Sequence, residues 1–509
     1  MKTRLLYRDR DLDHDTSVPW NADALTQDLG LTTLFDAMAR DDRFVLEVCE
    51  KVVFRSAVDI DVDTIRYRQA ILKDCLAHPD LTRELYDICV QLMREERKQW
   101  FIGGSRDHSG WLLYDALKLM ELCVGYLEKL RRIAESHAHE LVAEGWTALF
   151  ETLRRELTDE YLAEIRRHLE QLEFPRGVLL SARLGAGNKG VGYVLHELRG
   201  RRPRGWEMLS DWVARPFAER SSVYRFSLDP RDESGGRMLT DIRERGIGDV
   251  ANALAQAADH VRSFFAMLRR ELAFYVGCVN LHESITRKDE PWCFPDASRP
   301  EDRRLSFCGL YDICLSLRTG ERVVGNDADA DTRDLMIITG ANQGGKSTFL
   351  RSVGVAQLMM QAGLFVPAES FSASTRDGLF THFKREEDVA MESGKLDEEL
   401  SRMSRIIDGL TEHPMILFNE SFASTNEREG SEIARQIVSA LLGRHAKIAY
   451  VTHQYELAHG FGENDGRSVL FLQAEREASG ARTFKLVAGE PLRTSFAEDV
   501  YNSVFGAPA

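Results

Sequence analysis

The run Gly340-Ala-Asn-Gln-Gly-Gly-Lys346-Ser347-Thr348 fits the spacing G-x-x-x-x-G-K-[ST], directly after a buried-strand run and directly before a helical one. Glycines in such a loop let backbone N–H groups curve around phosphate oxygens, and the following helix N-terminus adds its partial positive charge. Lys346 is then placed to reach the β and γ phosphates of a nucleoside triphosphate, and Ser347 to ligate Mg²⁺. A second apolar run, Met415-Ile-Leu-Phe418, delivers Asn419 and Glu420 at its C-terminal end, where open α/β sheets bind ligands. Glu420 is positioned to polarise an attacking water. Asn419 stands where enzymes with such loops usually carry an aspartate for Mg²⁺; its amide oxygen still coordinates but lacks the charge that holds a hard dication. A third run, KIAYVTH (Lys447 to His453), ends on a histidine able to hydrogen-bond a γ-phosphate or its water.

Strands and helices must alternate to hold these residues. LMIITG (Leu335 to Gly340), MILF, KIAYVTH and VLFLQ (Val469 to Gln473), with helical stretches between the first three, predict a largely parallel sheet covered by helices from about Trp292 onward. The first half is helical by periodicity, over Tyr114 to Ile133 and Leu141 to Leu172. Its clearest stripe runs Ile247, Val250, Leu254, Ala257, Val261, Phe264, Leu268, Leu272, Tyr275, Val279, which at 1.5 Å per residue gives a rod of roughly 50 Å. Between these blocks, Pro175 to Gly246 contains strand-like runs (GVLLSARLGAGNKGVGYVLHEL, SSVYRFSLDP) broken by Gly and Pro, a small β-containing insertion. It holds 14 Lys and Arg against 9 Asp and Glu, densest at Arg199, Arg201, Arg202 and Arg204 before Trp206. That cluster is either a solvated loop or a contact for nucleic-acid phosphates.

The 509 residues, 43% hydrophobic and 29% charged, bury a core and exclude a disordered or fibrous chain. A formal charge of −15 excludes a generally cationic nucleic-acid or membrane binder, so any polyanion contact is regional. No apolar stretch approaches the ~18–20 residues of a membrane span, and Met1 to Trp20 has no signal-like apolar region, so a soluble, cytoplasmic protein without membrane contact is expected. The eight cysteines show no C-x-x-C pairing and read as free, buried thiols rather than disulfides or a zinc site.

GANQGGKSTFLRSVGVAQLMMQAGLFVPA, MILFNESFASTNEREG and AYVTHQYEL resemble the ATPase domain of MutS-type mismatch repair proteins, in which an ABC-like nucleotide site is completed by a second subunit. The likeness covers about Trp292 to Gly506, where VAGEPLRTSFAEDVY resembles that domain's last strand and helix. Upstream, DVDTIRYRQAIL (Asp61 to Leu72) is similar to the opening of the family's helical core, and the stripe ending at Val279 to its lever helix. The resemblance implies a multi-domain chain. Residues 1–287 would form a mainly helical core and lever region, with 175–246 as a basic, clamp-like, β-containing insertion, and 288–509 an α/β P-loop ATPase domain. Position by position, it implies that Gly340, Asn342, Gly344, Gly345, Lys346, Ser347 and Thr348 hold ATP and Mg²⁺. Ser347 and Asn419 would face the metal, Glu420 would activate water and His453 would act as sensor. Ser393-Gly394 falls where the family's signature loop contacts the γ-phosphate bound in the partner subunit.

The chain departs from the family pattern at definite places. No Gly-x-Phe-x-Glu pentad, the wedge of the mismatch reader, occurs near the N-terminus, and from the short stretch after Glu490 neither a helical dimerisation module nor an appended nuclease is expected. Val323 stands where an aromatic usually meets adenine, Leu396 and Asp397 replace small hydroxyl residues in the signature loop, and Asn419 replaces aspartate. The expectation is an ATP-driven homodimeric clamp on duplex or branched DNA, slow in hydrolysis and without mismatch reading. The alternative is a nucleotide-binding scaffold with little hydrolysis and no DNA contact, favoured by the acidic balance and Asn419. A small-molecule kinase would need an acceptor pocket and lid, of which the sequence gives no sign.

Overall fold

Apolar residues at helical spacing dominate the first 290 residues, and in the computed structural model they form helices. It describes residues 1–13, 18–100, 109–175, 177–188, 190–196, 227, 229, 231–385, 394–463, 469–476 and 482–491. The chain forms two compact units, each discontinuous in sequence: Lys2–Tyr86, His137–Leu149 and Met267–Ala509 in the larger; Met1, Asp87–Ser136 and Phe150–Ala266 in the smaller.

The smaller unit contains the helices Ser109–Ser136 and Asp159–Leu172 and the antiparallel hairpin β1 (Leu179–Leu184) and β2 (Gly190–His196). The helical run expected over Leu141 to Leu172 is two helices, Glu144–Glu156 and Asp159–Leu172. Thr158 starts the second by accepting a hydrogen bond from the Tyr161 N–H, a local cap that periodicity does not reveal. The long rod is longer than its stripe: one helix spans Glu233–Thr286, 54 residues. Its first turns therefore replace the end of the insertion expected to run to Gly246. Most side chains from Glu233 to Arg245 are exposed, so that part needs no apolar stripe, and Gly235, Gly236 and Gly246 made it look like a break. The hairpin bears out the first strand-like run. SSVYRFSLDP and Arg199, Arg201, Arg202 and Arg204 lie outside the described residues, save isolated positions.

The larger unit starts with the helices Ala22–Leu29, Leu31–Ala39, Arg43–Ser56 and Val62–Ala77. The remaining strands build two sheets. β3 (Asp296–Ser298), β4 (Leu305–Leu310), β5 (Asn326–Asp329) and β7 (Ser370–Ser374) form a four-stranded sheet of order β3-β7-β4-β5. β6 (Leu335–Thr339), β8 (Gly378–Phe383), β9 (Pro414–Asn419), β10 (Lys447–Val451), β11 (Val469–Arg476) and β12 (Arg482–Ala488) form a six-stranded sheet of order β12-β11-β6-β10-β9-β8. Only the β11–β12 pair in it is antiparallel. The four expected runs are thus β6, β9, β10 and β11. The four-stranded sheet was not legible, because DAS, NDAD and SFSAS are short and mostly polar, with too few apolar residues to mark a strand.

One face of the large sheet packs Ile337, Ile416, Phe418 and Tyr450 against the helices Lys395–Asp408, Glu427–Leu442 and Tyr455–Glu463. On the other lies the helix Lys346–Ala362, buried on nearly every side because the N-terminal helices cover what β9 and β10 do not. Polar links fix that cover. Arg68, wholly buried, donates to Ala362 O (3.3 Å), Ser56 Oγ (2.8 Å) and Leu6 O (2.9 Å), while Gln361 donates to Ser56 O (2.7 Å). The DVDTIRYRQAIL segment that carries the family likeness is therefore in direct contact with the helix behind the glycine loop. All eight cysteines are free thiols, six of them buried. Among the described residues no helix is long and apolar enough to cross a membrane, and no cluster of metal-ligating side chains occurs.

Candidate functional site

β6 is wholly buried between β10 and β11 and ends at Thr339, so the chain must turn out of the sheet at Gly340. It does so with φ +117°, a conformation that glycine alone adopts readily, and a Cβ there would come within 2.8 Å of the Ala474 nitrogen on β11. The loop re-enters helical geometry after Gly345 (φ +87°), and the helix Lys346–Ala362 has no acidic residue in its first turn. Free N–H groups and the positive helix end therefore face the loop without internal compensation.

Lys346 folds back and donates to Gly340 O (3.0 Å) and Ala341 O (2.8 Å), closing the loop on itself. Burial lowers its pKa to about 8, partly opposed by the charge of Glu420. Ser347 Oγ donates to Asn419 Oδ1 at 2.9 Å, joining the first two motifs. Glu420 follows at φ +53°, its N–H held by Val451 O (2.9 Å), and its Oε1 lies 3.0 Å from His453 Nε2, joining the second to the third. The close approach of the His453 imidazole, with Lys346 and Lys384 adding positive charge, holds the Glu420 carboxyl below the ordinary carboxylate range. Glu420 is therefore an anion at neutral pH, an acceptor suited to orienting a water.

Beside the loop opens a cavity of about 430 Å³, lined by Gly344, Gly345, Lys346, Ser347 and Thr348 and, away from them, by Tyr311, Val323 and Phe484. Asn342 is exposed on the loop's outer side. Asn419, Glu420 and His453 are not part of the lining, so the strand-end cluster and the cavity meet the loop separately. Gly394, exposed, precedes the helix Lys395–Asp408 and does not reach the cavity either; Ser393 lies outside the described residues.

Sequence reasoning missed two residues here. Phe484 on β12 has a half-exposed ring and φ +59°, and it presents an aromatic to the cavity that Val323 does not. Arg482 donates to Gln343 Oε1 (2.6 Å), strapping the same strand over the loop. The one available signal, a polar-apolar alternation in RTFKLVA, could have marked a strand but not its place beside the loop.

A glycine loop between buried strand and helix, a buried lysine, and a carboxylate paired with histidine at adjacent strand ends define an α/β site suited to a phosphate-bearing ligand. Residues 60–288 match the MutS2 N-terminal domain and residues 336–503 match MutS domain V, and the chain belongs to the MutS family. It is 35% identical over 222 residues to a DNA mismatch repair protein MutS of Clostridium kluyveri, covering 42% of this chain and 25% of that one. Over 271 residues it is 32% identical to the MutS of Porphyromonas gingivalis (49% and 30%), and over 251 residues 30% identical to an Endonuclease MutS2 of Lacticaseibacillus casei (48% and 32%). It thus matches about a third or less of the length of these curated relatives.

Proposed function

We propose that the chain is an ATP-hydrolysing DNA-binding protein working as a homodimer, each ATP site completed by the other subunit, and acting as a clamp on duplex or branched DNA without reading mismatches. The observation that carries this reading is the chain of contacts Lys346–Gly340, Ser347–Asn419 and Glu420–His453, which gathers three sequence motifs about one loop. Residues 288–509 would be the P-loop ATPase domain, 1–287 the core and lever, and 175–246 the DNA-contacting insertion with Arg199, Arg201, Arg202 and Arg204.

In this reading the loop N–H groups with Gly340, Asn342, Gly344, Gly345 and Thr348 cradle the triphosphate, Lys346 exchanges its carbonyl partners for phosphate oxygens, and Phe484 stacks on the base. The adjoining oxygens of Ser347 and Asn419 suit a hard cation such as Mg²⁺, though without the charge of an aspartate. When bound, Mg²⁺ would neutralise phosphate charge. Glu420 aligns the attacking water, His453 holds that carboxylate in place, and Ser393-Gly394 would reach the partner's site. The neutral Ser347–Asn419 pair also favours the second reading, a nucleotide-bound scaffold that hydrolyses little.

The test is ATP hydrolysis with and without linear, mismatched and branched DNA, in native protein and Glu420→Gln. Turnover stimulated by DNA and lost in Glu420→Gln, with DNA affinity falling steeply with salt, is expected. Nucleotide binding without hydrolysis, and no DNA retention even at low salt, would leave only the scaffold. Changing the four arginines together to alanine should weaken DNA binding and flatten its salt slope by ~0.9 for each phosphate no longer neutralised.

A further inference from the structure

We propose that His382, at the C-terminal end of β8, is a positioning residue for Glu420. It would tie the turn that carries this carboxylate to the helix Lys395–Asp408. The inference rests on the reading of Glu420 as the water-aligning group.

The turn Glu420-Ser421-Phe422 is unusual in having two non-glycine residues, Glu420 (φ +53°) and Phe422 (φ +59°), in the left-handed region on either side of Ser421. Such conformations persist only where surroundings over-determine them. Tyr450 OH donates to Ser421 O (2.9 Å) and fixes the turn to β10. His382 fixes the opposite side. Its ring is fully buried and stacked on Phe422, centroids 5.1 Å apart and planes within 18°. Nδ1 lies 2.7 Å from Ser421 Oγ, and Nε2 lies 3.0 Å from Glu399 O on the helix Lys395–Asp408. The Glu399 carbonyl can only accept, so Nε2 carries the ring proton; the Ser421 hydroxyl donates to the carbonyl oxygen of His382 itself (2.5 Å) and shares that one proton with the unprotonated Nδ1. Burial and the nearby Arg402 push the His382 pKa down to about 4, consistent with a neutral ring. The same helix makes two further ties: Arg402 donates to Phe383 O (2.7 Å), and Ser424 Oγ donates to the Glu399 carboxylate (3.1 Å).

One imidazole thus spans two elements, each through a single hydrogen bond: the residue following Glu420, and the helix that begins directly after Gly394. A shift of that helix has a short path to the carboxylate. Hydrolysis, which depends on placing a water to within a fraction of an ångström, is the step that must respond, while nucleotide binding through the glycine loop need not.

The experiment measures single-turnover ATP hydrolysis and ATP affinity for His382→Phe, which keeps ring and stacking but loses both hydrogen bonds, and for Ser421→Ala and Ser421→Thr. Each is made in the native and in the Glu420→Gln background. The expected result is a hydrolysis rate about ten-fold lower in His382→Phe and Ser421→Ala. Affinity should stay within about two-fold, Ser421→Thr should keep the native rate, and neither loss should lower the residual rate of Glu420→Gln further. An unchanged rate where Glu420→Gln does lower it overturns the positioning role and leaves Glu420's role standing. An equal further loss in the Glu420→Gln background makes the network merely structural. A native rate no higher than that of Glu420→Gln removes the role of Glu420 and, with it, this inference. If His382→Phe does not fold, the Ser421 pair decides alone.

Discussion

Replacing Asn419 by aspartate tests the metal side of the site with almost no change of shape. Ser347 Oγ already donates to Asn419 Oδ1 at 2.9 Å, and a carboxylate oxygen accepts that bond equally well. The variant therefore adds one negative charge and little else. Asn419 is partly exposed, so the charge acts through a high dielectric. A unit charge about 4 Å from a dication in such a medium is worth about 2 kcal/mol. The hydration that the added carboxylate gives up on meeting the cation removes part of that gain. About ten-fold tighter Mg²⁺ binding should remain, equivalent to about 1.4 kcal/mol. The assay is the Mg²⁺ dependence of ATP hydrolysis at saturating ATP, where the half-saturating concentration of Asn419→Asp should fall about ten-fold. Superimposing titrations would show that position 419 does not face the metal and that the proposed role of the Ser347–Asn419 pair is wrong.

Lys346 should make ATP binding pH-dependent. Its charged form binds phosphate, burial lowers its pKa to about 8, and bound phosphate would raise it again. Affinity measured by calorimetry is then level below pH 8 and falls about ten-fold per unit above it, and a level profile to pH 9.5 would contradict the buried-lysine account. Phe484→Ala should weaken ATP binding about five-fold, the worth of roughly 1 kcal/mol of stacking, while leaving tripolyphosphate affinity alone; equal losses for both ligands would place Phe484 away from the base. Glu271 accepts from Leu5 N, Thr3 Oγ1 and Leu12 N, yet burial raises its pKa to about 7. Because the folded state prefers the protonated form, stability is greatest below the unfolded value near 4.5 and declines as pH rises to about 7, by on the order of 3 kcal/mol. Denaturant midpoints from pH 5 to 8 should therefore fall more in native protein than in Glu271→Gln, and parallel curves would refute the assignment.

The candidate site was legible where chemistry and element boundary coincide. Gly340, Asn419, Glu420 and His453 sit at or just past the ends of strands whose apolar runs are unmistakable, and Lys346 opens the helix after the first of them, so spacing within each motif located each residue. What stayed hidden depends on contacts between distant segments. Phe484 meets the glycine loop only because β11 and β12 fold back beside β6. His382 lies in GLFTHF, a run whose burial gives its histidine no distinguishing mark until Ser421 and Glu399 are brought to it. The four-stranded sheet escaped for a different reason: its strands are short, and the few apolar residues that seat it, such as Leu305, Phe307 and Phe371, are interleaved with polar ones, while side-chain acceptors such as Asp327 to Gly309 N (2.7 Å) supplement the backbone pairing.

The cover over the helix Lys346–Ala362 bears on how the chain is made. The helices from Ala22 to Ala77 leave the ribosome long before the helix they enclose, and Leu29, which in the finished protein is buried against Gly354 of that helix, must wait for it. Arg68 waits for Ala362, and Gln361 for Ser56. Synthesis at ~5–20 residues per second separates the two by many seconds, an interval in which apolar surface is open to aggregation or to chaperones. A chain started near residue 288 would avoid the wait but would leave that helix uncovered, so the nucleotide loop would rest on an element with no outer wall.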